Sequence, residues 1–226
     1  MKTILFLLAL ALYSCAEPRP HRYSSPAEMP IARRGDKMKL VKSVLVADEA
    51  QQYTPIDVAV ITGSSDDHVR MLAAKFKGKR IKALVFIERY SHIAYRMEVL
   101  YQIPAEIILA QGMLESDFGT SDIAKAANNL FSIRYYPNDS WGKRHGYHHT
   151  CGNGKQWRRY ENANASFYDH AEFLHERCPH LFRGGKITPA KIAATGYAGR
   201  TKAAQKKYRQ DLEGLIGMYE LDKLFQ

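Results

Sequence analysis

The sequence predicts a mostly helical α+β domain with a small β insertion, and three features carry that prediction. From Ile81 onward apolar residues recur at helical spacing; residues 130–165 break into strand-like alternation and a glycine-punctuated loop; capped helical segments then resume to the C-terminus. At 226 residues the chain can form one well-packed domain plus an appendage. Its 46% hydrophobic and 25% charged residues argue against wholesale disorder.

The elements follow in order. Residues 1–15 read as a signal peptide: Lys2 precedes an apolar run, 4–13, too short to cross a bilayer as a helix. The run ends at Leu12-Tyr13-Ser14-Cys15, which resembles the lipobox of bacterial lipoproteins and makes Cys15 a candidate for lipidation; Tyr13 is unusual there, so ordinary cleavage is the alternative. The expected location is therefore exported, as a cell-envelope lipoprotein held to the membrane by an N-terminal lipid, or as a periplasmic or secreted protein. Residues 16–80 form a tether and an unassigned segment: Pro18, Pro20, Pro26 and Pro30 favour extended chain. Two short β-type runs at 44–47 and 56–62, a turn at 63–66 and a helix over 67–76 follow.

The third segment, 81–226, carries the candidate catalytic domain. Phe86, Tyr90, Ile93, Met97 and Leu100 mark the buried face of a long helix, and Pro104 opens the next, 105–115, with Gly119 beyond its end. Ser121 caps a short helix through Ala127. Residues 130–136 alternate like a strand, and 157–160 read as the returning strand of an irregular hairpin. Ser166 with Asp169 marks another helix start through Arg177, Thr188-Pro189 opens one that Gly196 ends, and the last carries Tyr208, Leu212, Leu215, Ile216 and Tyr219 on one face.

A net charge of +10 attracts polyanions, but the chain has no zinc-finger spacing, glycine-rich RNA signature or zipper repeat. A nucleic-acid partner is not expected. With Cys15 lipidated, Cys151 and Cys178 remain as an even pair, and a disulfide between them is the expectation for an oxidising compartment. The nearby His145, His148 and His149 match no standard ligand spacing, so neither a metal nor another cofactor is expected.

Glu115 stands out on chemical grounds. It ends a largely apolar helix and shares a face with Ile108, Gln111 and Gly112, so partial desolvation raises its pKa and keeps a proton available near neutrality. Fourteen tyrosines add rings of the kind that stack on sugars.

Residues 103–105 through Leu109-Ala110-Gln111-Gly112-Met113-Leu114-Glu115-Ser116, with Phe118-Gly119, resemble the catalytic helix of the peptidoglycan N-acetylglucosaminidases, glycoside hydrolase family 73. Asn128-Asn129-Leu130-Phe131-Ser132-Ile133 is similar to that family's next motif, with Ser132 where glycine is usual. Arg159-Tyr160, Ser166-Phe167, Asp169-His170 and Phe173-Leu174 are similar to the segment after its β-lobe. Gly196-Tyr197-Ala198 resembles the start of its C-terminal tyrosine motif, though Gly199-Arg200-Thr201 departs from it. The resemblance implies a lysozyme-like fold and hydrolysis of the β-1,4 bond between N-acetylglucosamine and N-acetylmuramic acid in peptidoglycan glycan strands. It makes Glu115 the general acid and sets Tyr197 near the scissile sugar. Gln111, Asn129, Phe131 and Trp157 are the candidate substrate-binding residues, the last two as rigid rings for the face of a sugar.

The family often places a second acid in the β-lobe, where this chain has only Asp139. Asp139 as base, a histidine as base, or attack by the substrate's own 2-acetamido oxygen are the three routes, and the last is favoured. The competing readings are a catalytically impaired peptidoglycan-binding protein, or a muramidase or lytic transglycosylase on the same scaffold.

Overall fold

The computed structural model describes residues 66–77, 80–145 and 147–225. The expected signal peptide, Cys15, the tether and the two β-type runs lie outside the described residues. Among the described residues the architecture is mostly helical, with one two-stranded sheet.

Helix α1, Asp67–Phe76, starts where Asp66 accepts hydrogen bonds from the backbone N–H of His68 and Val69, and it buries Val69 and Leu72. Helix α2, Ile81–Tyr101, buries Phe86, Tyr90, Ile93 and Met97, the face its spacing predicts. Near its end Glu98 Oε2 accepts from the Ala105 N–H at 3.1 Å. That bond caps helix α3, Ala105–Glu115, because the preceding Pro104 has no side chain that can.

Helix α3 is the centre of the molecule. Helices α2, α8 (Lys202–Met218) and α9 (Leu221–Leu224) pack around it, and all of Ile107–Met113 is buried. Enclosure on several sides explains why its sequence is apolar nearly all round rather than on one stripe. Gly112 permits the closest approach: a Cβ there would lie 2.9 Å from Phe86 Cζ of α2.

Helix α4, Asp122–Ala127, is capped by Ser121 as expected. The β-lobe departs from the expected pairing. Its hairpin joins β1, His148–Thr150, to β2, Gln156–Arg158, with His148 opposite Arg158, and the stretch read as loop contains helix α5, Ser140–His145. Residues 131–136 do alternate in burial, with Phe131, Ile133 and Tyr135 inward. They join the sheet only through a bridge between Arg134 and Trp157. Ser132 sits at φ +51°, which breaks the extended path, and Asn129 takes over the ladder's role. Its side chain accepts from Ile133 N–H at 3.0 Å and donates to the Ile133 and Arg158 carbonyls, each at 2.9 Å.

Helix α6, Ala163–Arg177, begins earlier than expected, with Asn162 as its cap. Ser166 is instead a buried tie whose Oγ accepts from the Leu130 N–H at 3.1 Å. A 3₁₀ turn, Pro179–Phe182, leads to α7, Pro189–Ala194, capped by Thr188, and Gly196 (φ +78°) follows its end. The expected disulfide is not formed: Cys151 and Cys178 are not joined. Cys178 is buried in the main core at the end of α6, while Cys151 closes the hairpin turn, its N–H donating to the Lys155 carbonyl at 3.0 Å. The two thiols belong to different parts of the fold.

Candidate active site

Glu115 is the last residue of α3, and the chain leaves it abruptly. Ser116 Oγ donates back to the Gly112 carbonyl and accepts from the Gly119 N–H, while Asp117, Phe118 and Gly119 all adopt positive φ. Three successive left-handed residues turn the backbone away and leave the Glu115 side chain at the edge of the protein body. Residues 129–136 are tied to this end, because Ser132 Oγ donates to the Glu115 carbonyl at 2.9 Å.

The surroundings set the acid's strength. Burial pushes the Glu115 carboxyl from an ordinary 4.5 up to about 7, and a hydrogen bond with Tyr208 partly offsets that rise. The residue as a whole is half-buried, which is compatible with proton transfer to an outside group. Its place at a helix C-terminus, the negative end of the dipole, disfavours the carboxylate in the same direction. Behind it, Gln111 Nε2 donates to Tyr208 Oη at 3.2 Å. Because that bond occupies a lone pair on the phenol oxygen, the Tyr208 proton points toward Glu115.

Tyr197 completes the group. Its hydroxyl donates to the Phe131 carbonyl at 2.7 Å, and its ring lies 6.3 Å from that of Tyr208 at 20° between planes. Burial raises its pKa well above the usual value, and the neighbouring Glu115 charge adds to the effect. His170 lies behind, stacked on Phe131 at 3.9 Å and edge-on to Tyr197 at 5.7 Å. Burial lowers its pKa to about 3, which keeps it neutral.

Tyr197 lies close enough to Glu115 for the two charges to interact. The fold gives different duties to the other expected residues. Gln111, Asn129 and Phe131 are fully buried and Trp157 is 3% exposed, so none is an open platform for a sugar ring. Gln111 supports Tyr208, Asn129 clamps the lobe, Phe131 packs between His170 and Phe167, and Trp157 lies beneath Arg134.

Asp139 is also committed. Its Oδ1 accepts from the Gly142 N–H at 2.6 Å and its Oδ2 from Arg158 Nη2 at 2.8 Å. Arg158 Nη1 donates to both oxygens of Asp169 at 2.8 Å, and Tyr160 Oη donates to the same carboxylate at 2.5 Å. This buried network joins α5, β2 and α6 and uses the lobe's acid as a structural partner rather than an available base. Among the described residues, no group of three His, Cys, Asp or Glu side chains could hold a metal ion.

Tyr208 is the site residue that sequence reasoning placed only in the core. A signal was present: a phenol on an apolar helix face needs a buried hydrogen-bonding partner, and the facing helix offers Gln111 and Glu115 on one face. What the arrangement can do chemically is deliver a proton near neutral pH to a leaving-group oxygen.

A family model described as glucosaminidase, mannosyl-glycoprotein endo-beta-N-acetylglucosaminidase, matches residues 91–221. The chain is 27% identical over 157 residues to Exo-glucosaminidase LytG of Bacillus subtilis, covering 62% of this chain and 52% of that protein. It is 28% identical over 144 residues to an autolysin of Enterococcus faecalis, covering 61% of this chain and 18% of that protein. The chain thus spans about half or less of these relatives' length. The crystal structure of a peptidoglycan hydrolase from Sphingomonas sp. A1 superposes with a TM-score of 0.49 at 20% identity, over 63% of this chain and 94% of that one.

Proposed function

Because the chain belongs to the glucosaminidase family of glycoside hydrolases, we propose that it cleaves the β-1,4 bond between N-acetylglucosamine and N-acetylmuramic acid in bacterial peptidoglycan. The observation that carries this reading is the Glu115 carboxyl, held protonated up to about pH 7 at the protein edge. Glu115 donates its proton to the glycosidic oxygen as the bond to the anomeric carbon breaks. The commitment of Asp139 to Arg158 and Gly142 favours attack on that carbon by the carbonyl oxygen of the substrate's own 2-acetamido group. Water then opens the cyclic intermediate while the Glu115 carboxylate takes its proton, which restores the acid. Tyr208 stabilises that carboxylate, and Tyr197 borders the sugar at the scissile bond.

Such a substrate lies outside the cytoplasm, and export through the N-terminal leader, with lipid attachment at Cys15, is proposed with it. A lytic transglycosylase would also need only one carboxyl, so the products decide between the two. Digestion of purified peptidoglycan should release fragments with N-acetylglucosamine at new reducing ends, and Glu115→Gln should release only a trace in the same time. Anhydro-muramic ends would replace this reading by transglycosylation. Equal release by the Glu115→Gln variant would remove Glu115 from the chemistry.

A further inference from the structure

Arg134 is a cation that the mechanism leaves unused. It lies two residues beyond Ser132, whose hydroxyl holds the end of the Glu115 helix, on the partly exposed side of the alternating run 131–136. Its guanidinium is 4.6 Å from the centre of the Trp157 ring, and Arg134 and Trp157 are also paired through the backbone. A guanidinium laid on a buried ring is restricted in orientation, so it loses little further freedom when it binds an anion. The lobe's buried carboxylate, Asp139, and Asp169 of α6 are both held by Arg158. Among the described residues, no carboxylate pairs with Arg134.

We propose that Arg134 is a specificity-determining residue that binds a carboxylate of the substrate beside the scissile bond. This rests on the glucosaminidase reading above. In peptidoglycan one of the two alternating sugars bears a lactyl ether that ends in a carboxyl group or continues into a peptide with its own carboxylates. A neutral polymer of N-acetylglucosamine offers none. A planar donor fork fixed on an aromatic ring suits a carboxylate in two-point contact, and it would favour the anionic glycan over a neutral one. Because the contact is made before and during bond cleavage, its loss should appear mainly in KM.

The test uses one polymer in two forms: native peptidoglycan and the same material with its carboxylates converted to amides. Wild type should favour the native form by about ten- to a hundredfold in kcat/KM, carried by KM. Arg134→Gln should treat both forms alike, with its loss on the native form carried by KM. Lys206→Gln, which removes an equal charge from an exposed part of α8, should keep the wild-type preference. An unchanged preference in Arg134→Gln overturns the proposal, as does an equal loss in Lys206→Gln, which would assign the effect to long-range charge. If wild type cleaves neither form, the enzymatic reading fails, and co-sedimentation of Glu115→Gln with and without Arg134→Gln decides binding separately. There, Arg134→Gln should weaken pelleting with native glycan and leave pelleting with the amidated form unchanged; equal pelleting with both forms overturns the role of Arg134.

Discussion

Replacing Glu115 with glutamine should change how stability depends on pH, and the structure gives the size. The carboxyl rises from 4.5 to about 7 on folding, chiefly through burial. At about 1.4 kcal/mol per pH unit that amounts to about 3 kcal/mol, reduced to about 2 by the solvent that reaches its outer edge. The unfolded chain loses this proton near pH 4.5, whereas the folded protein holds it until about 7. Between those values the folded state binds more protons, so stability falls as pH rises and levels off above about 7. Glutamine keeps the shape and has no proton to lose. Paired thermal or urea unfolding at about pH 4 and about pH 8 should therefore show wild type losing about 2 kcal/mol relative to Glu115→Gln, roughly 4–8 °C in Tm. Parallel pH dependences in the two proteins would refute the desolvated carboxyl on which the chemistry depends.

Tyr208→Phe removes the hydrogen bond that favours the Glu115 carboxylate, so the alkaline limb of activity should move to higher pH, read from kcat/KM across a pH series. Gly112→Ala places a Cβ 2.9 Å from Phe86 Cζ, and denaturant unfolding should show a loss of about 1–3 kcal/mol as α3 is forced off α2. Arg158→Met leaves Asp139 and Asp169 buried without their counter-charge. It should cost about 3–5 kcal/mol by the same measurement.

The helices were legible because their signals are local. Asp66, Ser121 and Thr188 cap where a short polar side chain precedes an apolar run, and the inner face of α2 follows the 3.6-residue period. The end of α3 was legible as well, because a carboxylate closing an apolar helix is a chemical anomaly. The β-lobe was not, since its order comes from side chains distant in sequence. Asn129 replaces a strand ladder and Arg158 gathers two acids, and neither leaves a periodic trace. The same cause misplaced the aromatic residues. Phe131 and Trp157 look like sugar platforms in sequence, but His170 and Arg134 cover them in space. Ser166 shows the limit of local reading: a serine three residues before an acid resembles a helix cap, yet Asn162 holds that position and Ser166 ties α6 to Leu130.

The most direct test of the central claim is the pH–rate profile of glycan release from purified peptidoglycan by wild type and Glu115→Gln. A single proton-donating carboxyl predicts kcat/KM level through the acidic range and one descending limb near pH 7, set by Glu115. Glu115→Gln should lose about a hundred- to ten-thousandfold in rate and show no such limb. A bell-shaped wild-type profile with a second carboxylate ionising near pH 4 would contradict the account, because it would require a base that Asp139, bound to Arg158, does not supply.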